Sequence, residues 1–265
     1  MKLRSLLFAT SFVFAAGANA ESFSLPIWKE EAEALGYELP KAFGLNLSYM
    51  SLEQGINVDS IVIKGLEKLV IEAEPGKQVT DVITLRADMW LFPFLNLYAL
   101  VGKLEGYSET NVNMTVDFGP FGDKKIDLGK FRLDLDGDIK GAGFVLAGGY
   151  DQWFALVDAS YTQTKLTVID GSIDAYVVSP RVGYDFNQHG LPLRLWVGAM
   201  YQDVEQELSG TLTGIPIQFE VKQSLASEWN TIAGMQYQIN ESLYLLGEMG
   251  FGERESLFFS LDYRF

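Results

Sequence analysis

Eight ionisable side chains stand out because their positions, as well as their types, are constrained: Arg86, Asp88, Asp158, Arg181, Arg194, Glu248, Asp262 and Arg264. Each lies in a stretch where apolar and polar residues alternate with period two, and each falls on the polar side of that alternation. Four are basic and four acidic. If these faces meet in one interior, their charges nearly cancel. Isolated charges in a narrow interior are costly, whereas paired and hydrogen-bonded charges are tolerated. Two chemistries therefore fit: a polar constriction that selects a solute, or an interlocked ion-pair network that fills the interior and stiffens it.

Other candidate chemistry is weaker. The single histidine, His189, sits in Asn187-Gln188-His189-Gly190, a turn by composition. The absence of cysteine removes thiolate metal sites, thiol nucleophiles and disulfides. Asp203 and Glu205 form a carboxylate pair, but no enclosed cleft is indicated for glycosidase-like work. The run Leu133-Asp134-Leu135-Asp136-Gly137-Asp138 resembles half of a calcium loop. Counted from Asp134, however, the sixth position is Ile139 and the twelfth Val145, where that loop needs Gly and Glu. The stretch then reads as a solvated acidic rim or a loose divalent site. Gly141, Gly143, Gly148 and Gly149 suit a strand that bends or closely meets interior side chains. No cofactor or metal is called for.

The elements that must position the eight charges are strands. Period-two alternation predicts ten of them, over 43–53, 79–91, 94–107, 138–150, 152–166, 172–186, 192–206, 226–239, 242–252 and 255–265. The connections sort into two classes. Phe92-Pro93, Asp151, Asn187 to Leu191 and Asn240-Glu241 are tight, whereas 54–78, 108–137 and 207–225 are long. Within 108–137 the stretches Asn111 to Phe118 and Ile126 to Leu135 alternate, which suits a hairpin that extends the wall. A twelve-stranded wall results if part of 54–78 pairs into it. Segment 56–72 is apolar for a loop, and suits either folding into the mouth or a small hairpin. Residues 26–36 carry helix start and stop signals, with Pro26 at the front and Gly36 behind.

The other face of the alternation is apolar. It includes Ile83, Leu85, Ala87 and Met89; Leu95, Leu97 and Val101; Phe144 and Leu146; and Val157, Ala159 and Tyr161. It continues through Tyr176, Val178, Val182 and Tyr184, then Leu195, Val197 and Tyr201. Tyr49, Trp153, Tyr184, Trp229 and Tyr237 fall near strand ends, where interfacial aromatic rings belong. The mean hydropathy is only +0.09 although 48% of residues are hydrophobic. An alternating membrane wall produces that combination.

The first twenty residues read as a cleavable export signal: Lys2 and Arg4, the apolar run Leu6 to Ala16, then Ala18-Asn19-Ala20. The apolar run is shorter than the ~20 residues a spanning helix needs. The organisation is thus a signal peptide over 1–20, an N-terminal segment over 21–42 and a barrel over 43–265. The net charge is −15, and losing Lys2 and Arg4 makes the mature chain more acidic by two. This argues against nucleic acid as a partner.

The final strand places Leu257, Phe259, Leu261, Tyr263 and Phe265 on one face. Here the sequence resembles Gram-negative outer-membrane β-barrels, whose closing strand ends in Phe with aromatic or apolar residues at alternate positions before it. The resemblance implies an all-β, transmembrane, antiparallel up-and-down barrel in the outer membrane, with a short N-terminal periplasmic helix. It also implies that Tyr263 and Phe265 are the signal read by the barrel-assembly machinery. Implied partners are outer-membrane lipid and lipopolysaccharide, with an unspecified extracellular ligand for the long loops and the divalent reading of Asp134 to Asp138 shared with lipopolysaccharide. Ten-stranded omptin proteases need a rim His acting with Asp, and outer-membrane phospholipase and deacylase need Ser and His. His189 falls on the wrong side for these, so a non-enzyme is expected. The functional expectations are a structural or surface-interaction barrel or, alternatively, a narrow passive channel, with an outer-membrane enzyme a distant third.

Overall fold

The computed structural model describes residues 25–63, 70–117, 123–167, 170–211 and 218–265; the export signal expected over 1–20 lies outside them, as does part of the apolar segment 56–72. Twelve strands follow a short helix. They are β1 Phe43–Ile63, β2 Val70–Ala73, β3 Gly76–Phe92, β4 Leu95–Asp117, β5 Asp123–Tyr150 and β6 Trp153–Leu166. The second half adds β7 Asp170–Asp185, β8 Leu193–Thr211, β9 Gln218–Leu225, β10 Trp229–Asn240, β11 Leu243–Phe251 and β12 Arg254–Arg264. Ten of these form an antiparallel ring in the order β10-β11-β12-β1-β3-β4-β5-β6-β7-β8, closed by β8 on β10. Closure satisfies every strand edge, which a lipid-embedded sheet requires.

Parity sets the wall. Leu45, Leu47 and Tyr49 of β1, Ile83 and Leu85 of β3, and Val178 and Val182 of β7 face outward and are exposed. So are Leu257, Phe259, Leu261 and Tyr263 of β12. This apolar belt with aromatic rims is a lipid-facing surface. The tight turns lie at one end. Asp151 adopts φ 57, the left-handed conformation that a two-residue hairpin turn demands and Asp tolerates.

The segments 54–78 and 207–225, expected as long loops, are instead mostly strand, and the alternating stretches of 108–137 form the wall-extending hairpin that they suit. β1 runs on to Ile63, β4 and β5 pair out to Asp117↔Asp123, and β8 runs to Thr211. The two extra strands also come from these segments: β2 pairs with β4, and β9 pairs with both β8 and β1. The alternation continues beyond the membrane, but its outward side changes from apolar to charged. On β4–β5 that side carries Lys103, Glu105 and Glu109 opposite Asp138, Asp136 and Arg132. Inward partners such as Leu133 and Leu135 stay buried.

The wall also narrows. β1 pairs with β12 up to Gln54↔Arg254, then with β9 from Ile56↔Leu225. β8 pairs with β10 up to Tyr201↔Trp229 and with β9 from Gln206↔Gln223. The β11–β12 hairpin stops at this fork. Above it, at the level of Ile56, β9, β1, β3, β4, β5, β6, β7 and β8 make a ring of eight.

The helix α1, Lys29–Ala34, is shorter than expected and lies at the tight-turn end. The Ile27 N–H donates to the Leu91 carbonyl at 2.9 Å. Trp28 packs on Phe92 and Phe94, with ring centroids 4.9 and 6.2 Å away. It leans on the β3–β4 rim.

Candidate functional site

The interior has two stacked layers. The lower one, inside the membrane belt, holds the charges. The Arg181 guanidinium grips the Glu248 carboxylate with two hydrogen bonds, Nε to Oε2 at 2.7 Å and Nη2 to Oε1 at 3.0 Å. Glu248 Oε2 also accepts from the Trp196 indole N–H at 2.7 Å. Across the lumen, Arg264 lies 3.0 Å from Asp88 and 3.3 Å from Asp262. Arg86 approaches Asp88 at 3.7 Å and Asp158 at 4.0 Å. Asn96 ties the last group together, accepting from Arg86 at 3.2 Å and donating to Asp88 at 2.7 Å. Tyr98 lies beneath the Arg86 guanidinium, 4.0 Å from its ring centroid, and donates its hydroxyl to Asp158 at 2.5 Å.

The structure therefore brings seven of the eight expected residues into this layer. Arg194 stands apart at the tight-turn mouth, where it pairs with Asp185 at 2.6 Å and is half-exposed. Tyr263 and Phe265 face outward on the same rim, and the Phe265 and Phe43 rings stack at 6.1 Å. Sequence reasoning missed Asn96, Tyr98, Trp196 and Asp185. The first three have inward parity but no charge.

Three glycines make the long reaches feasible. The Arg264–Asp88 pair links β12 to β3 across β1, where a Cβ on Gly44 would come within 2.7 Å of Asp88 Oδ2. Tyr98 reaches from β4 to Asp158 on β6 across Gly143 of β5, where a Cβ would meet its ring at 2.5 Å. Trp196 reaches from β8 to Glu248 on β11 across Gly234 of β10, where a Cβ would again lie only 2.5 Å from the indole. Each bridge passes over a strand that has no side chain at the crossing point. The expectation that Gly143 meets an interior side chain holds, and Gly44 and Gly234 play the same part without a glycine-rich run to announce them.

The upper layer begins with amides. Gln54 and Gln206 both donate to Gln78 Oε1, at 3.1 and 3.2 Å, and Ser108 donates to Gln223 at 3.4 Å. These bonds join β8 to β3 and β4 to β9 across the narrowed ring. An apolar cluster includes Leu104, Leu135, Ile139, Ile173, Leu208 and Val221, with Val58, Ile61 and Phe131 packed against it. Leu208 and Ile56 are fully buried.

The remaining candidates occupy surfaces. His189 lies in a single 3-10 turn at the tight-turn end, with Nε2 2.8 Å from the Tyr184 hydroxyl. Asp134, Asp136 and Asp138 project from the outer face of β5, a continuous strand, so the calcium-loop reading fails on backbone geometry. Alternate strand residues lie roughly 7 Å apart and do not converge on one ion. No group of three metal-ligating side chains occurs among the described residues. Asp203 and Glu205 lie outside the barrel beside Asp174, which accepts from the Tyr161 hydroxyl at 2.6 Å.

A closed ring with a lipid-facing belt and a polar, charge-paired interior defines a transmembrane antiparallel β-barrel. No protein-family model matches the chain, and no curated protein sequence is significantly similar to it. Among solved structures it is similar to the outer membrane protein OprG from Pseudomonas aeruginosa, with 9% identity over 86% of this chain and 98% of that one and a TM-score of 0.42. It is also similar to an outer membrane channel from Pseudomonas putida F1, with 11% identity, 86% and 97% coverage and a TM-score of 0.39. The transport unit of the autotransporter AIDA-I from Escherichia coli matches with 10% identity, 84% and 90% coverage and a TM-score of 0.41.

Proposed function

We propose that this protein is a closed barrel whose role is to carry a rigid, folded extension from the outer membrane into the extracellular space. The observation that carries this reading is the apolar cluster around Leu135 and Leu208 inside the narrowed ring. A passage for ions or polar solutes along the axis would have to cross it, and desolvating an ion among such side chains is prohibitive. Below it, the Arg181–Glu248 and Arg264–Asp88 pairs use the lumen charges on one another. The extension is substantial: from Lys103 to Asp117, β4 adds about 45–50 Å of strand at ~3.4 Å per residue. Folded surface of that length, held on a rigid wall, suits contact with molecules outside the cell.

Two measurements test it. In planar bilayers the refolded protein should show no reproducible single-channel steps; ion-selective steps would replace this reading with that of a narrow channel. The chain has no cysteine, so Leu128→Cys, at an exposed position of the β5 extension, gives a unique label. A membrane-impermeant maleimide should label it on intact cells. Labelling only after lysis would reverse the orientation and sink the surface role.

A further inference from the structure

Each arginine of the lower layer lies against a carboxylate: Arg86 against Asp158, Arg181 against Glu248 and Arg264 against Asp88. Arg254 is different. It opens β12 on the inward face, opposite Gln54, at the fork where β1 leaves β12 for β9. Only 2% of it is exposed. Its Nη2 donates to the Ser227 carbonyl at 3.1 Å, and its own carbonyl accepts from Asn230 Nδ2 at 2.8 Å. Neither Nε nor Nη1 has a hydrogen-bond partner among the described residues, although both are buried. The acids around the fork do not supply a countercharge. Glu53 and Glu255 are cross-strand neighbours on the exposed outer face, where Glu53 pairs with Lys77. Glu228 and Glu253 are exposed in the flanking turns. The inward acid below, Glu248, is held by Arg181 and Trp196. Gln54 Oε1 and Asn230 Oδ1 are buried without partners too, but they are neutral and leave the guanidinium charge uncompensated.

We infer that Arg254 is the centre of a binding site for a small monovalent anion of the halide class, which completes the junction between the ten-stranded and eight-stranded rings. Charge and burial carry the inference together. A buried guanidinium without a countercharge is strongly unfavourable, and water meets its hydrogen bonds without neutralising it. Burial sets the size of the ligand. The guanidinium is enclosed by β1, β10 and the Ser227 turn, and the β11–β12 turn lies directly against Asn230. A Cβ on Gly250 or Gly252 would come within 2.6 or 3.4 Å of the Asn230 amide. A bulky organic acid does not enter such a space, whereas an ion of nearly the size of water does.

The test is urea unfolding of the refolded protein in zwitterionic micelles, with chloride replacing gluconate at constant ionic strength. One anion bound only to the folded state lowers the unfolding constant in proportion to its concentration once the site is mostly filled. Each tenfold rise in chloride should then lower that constant about tenfold. Arg254→Gln, checked for folding by its electrophoretic mobility before and after heating, should lose this dependence. Lys130→Gln, on the β5 extension, should keep it. Crystals soaked in bromide give a readout that needs no variant: the anomalous signal should place a bromide within hydrogen-bonding reach of Arg254 Nε or Nη1. A wild-type protein indifferent to chloride, or an Arg254→Gln variant that keeps the dependence, overturns the inference. So does bromide that occupies other sites and not Arg254.

Discussion

At the scale of residues, the lower layer is a set of mostly buried, mutually paired charges, and the geometry decides which substitutions are costly. Arg181 and Glu248 satisfy each other with two hydrogen bonds, and Trp196 supplies a third. Arg181→Ala leaves Glu248 buried without its countercharge, a loss of about 3–5 kcal/mol by analogy with other broken buried pairs. Arg181→Met/Glu248→Gln removes both charges while keeping bulk and an acceptor for the Trp196 N–H, and should recover most of that stability. Urea unfolding in micelles decides this; a double variant as unstable as the single one would show that the pair is not the coupled unit. Gly234 makes a second case. Glycine to alanine within a strand ordinarily gains roughly 0.5–1 kcal/mol. Here the new methyl group would meet the Trp196 indole at 2.5 Å. Overpacking of this kind costs about 1–3 kcal/mol, so the sign should reverse. An unchanged or higher unfolding midpoint in Gly234→Ala would show that Trp196 is free to move aside.

At the scale of elements, the extension behaves as a small water-soluble barrel fused to a membrane one. Its outer face is charged and its inner face apolar, so its stability should be separable from that of the belt below. Leu208→Ala, at a fully buried position of β8, should cost about 2–5 kcal/mol. Limited proteolysis in micelles should then cut β4, β5 or β8 beyond the belt while the lower barrel survives. Cuts distributed through the whole chain would show one cooperative unit instead. The outward ion pairs matter less. Hydrogen bonding from Lys130 holds the Glu109 carboxyl below its ordinary value. Its contribution is therefore present above the unfolded carboxylate pKa and lost as pH falls through the lowered one, and access to water keeps it small. These features explain what the amino-acid pattern could and could not disclose. The tight turns, the belt and the inward parity of Arg86, Asp88, Arg181 and Glu248 follow from period-two alternation. The strand portion over 218–225 did not stand out because its outward residues, Glu220 and Lys222, are charged where lipid ends, whereas the alternation over 111–118 and 126–135 already suited a hairpin extending the wall. The partnerships across Gly44, Gly143 and Gly234 join strands that are not neighbours, and no local pattern encodes them. Tyr98 and Trp196 escaped for a simpler reason: neither is charged.

At the scale of the whole molecule, the proposed closed barrel has two seals in series along one axis, set by the change from ten strands to eight. In that reading the charged layer fills the wider ring, and the amide and apolar layers fill the narrower one above it. In a series path the more resistant element sets the current, so removing either seal alone should leave the barrel silent. Arg181→Ala/Glu248→Ala clears side chains from the lower layer, yet ions reaching its top would still meet Leu135, Leu208 and Val221. Leu135→Ala/Leu208→Ala thins the upper layer, yet the Arg264–Asp88 and Arg86–Asp158 pairs still occupy the lumen beneath. Only the combined fourfold variant should give reproducible single-channel steps in a planar bilayer, provided its mobility before heating shows a folded barrel. Conductance in the lower-layer variant alone would mean that ions leave without crossing the upper core. The fork where β1 passes from β12 to β9 would then be the exit, because there, at the belt's edge, a strand of the described wall changes partner. That outcome would make the β11–β12 hairpin a wedge beside a lateral opening instead of a sealed part of the wall.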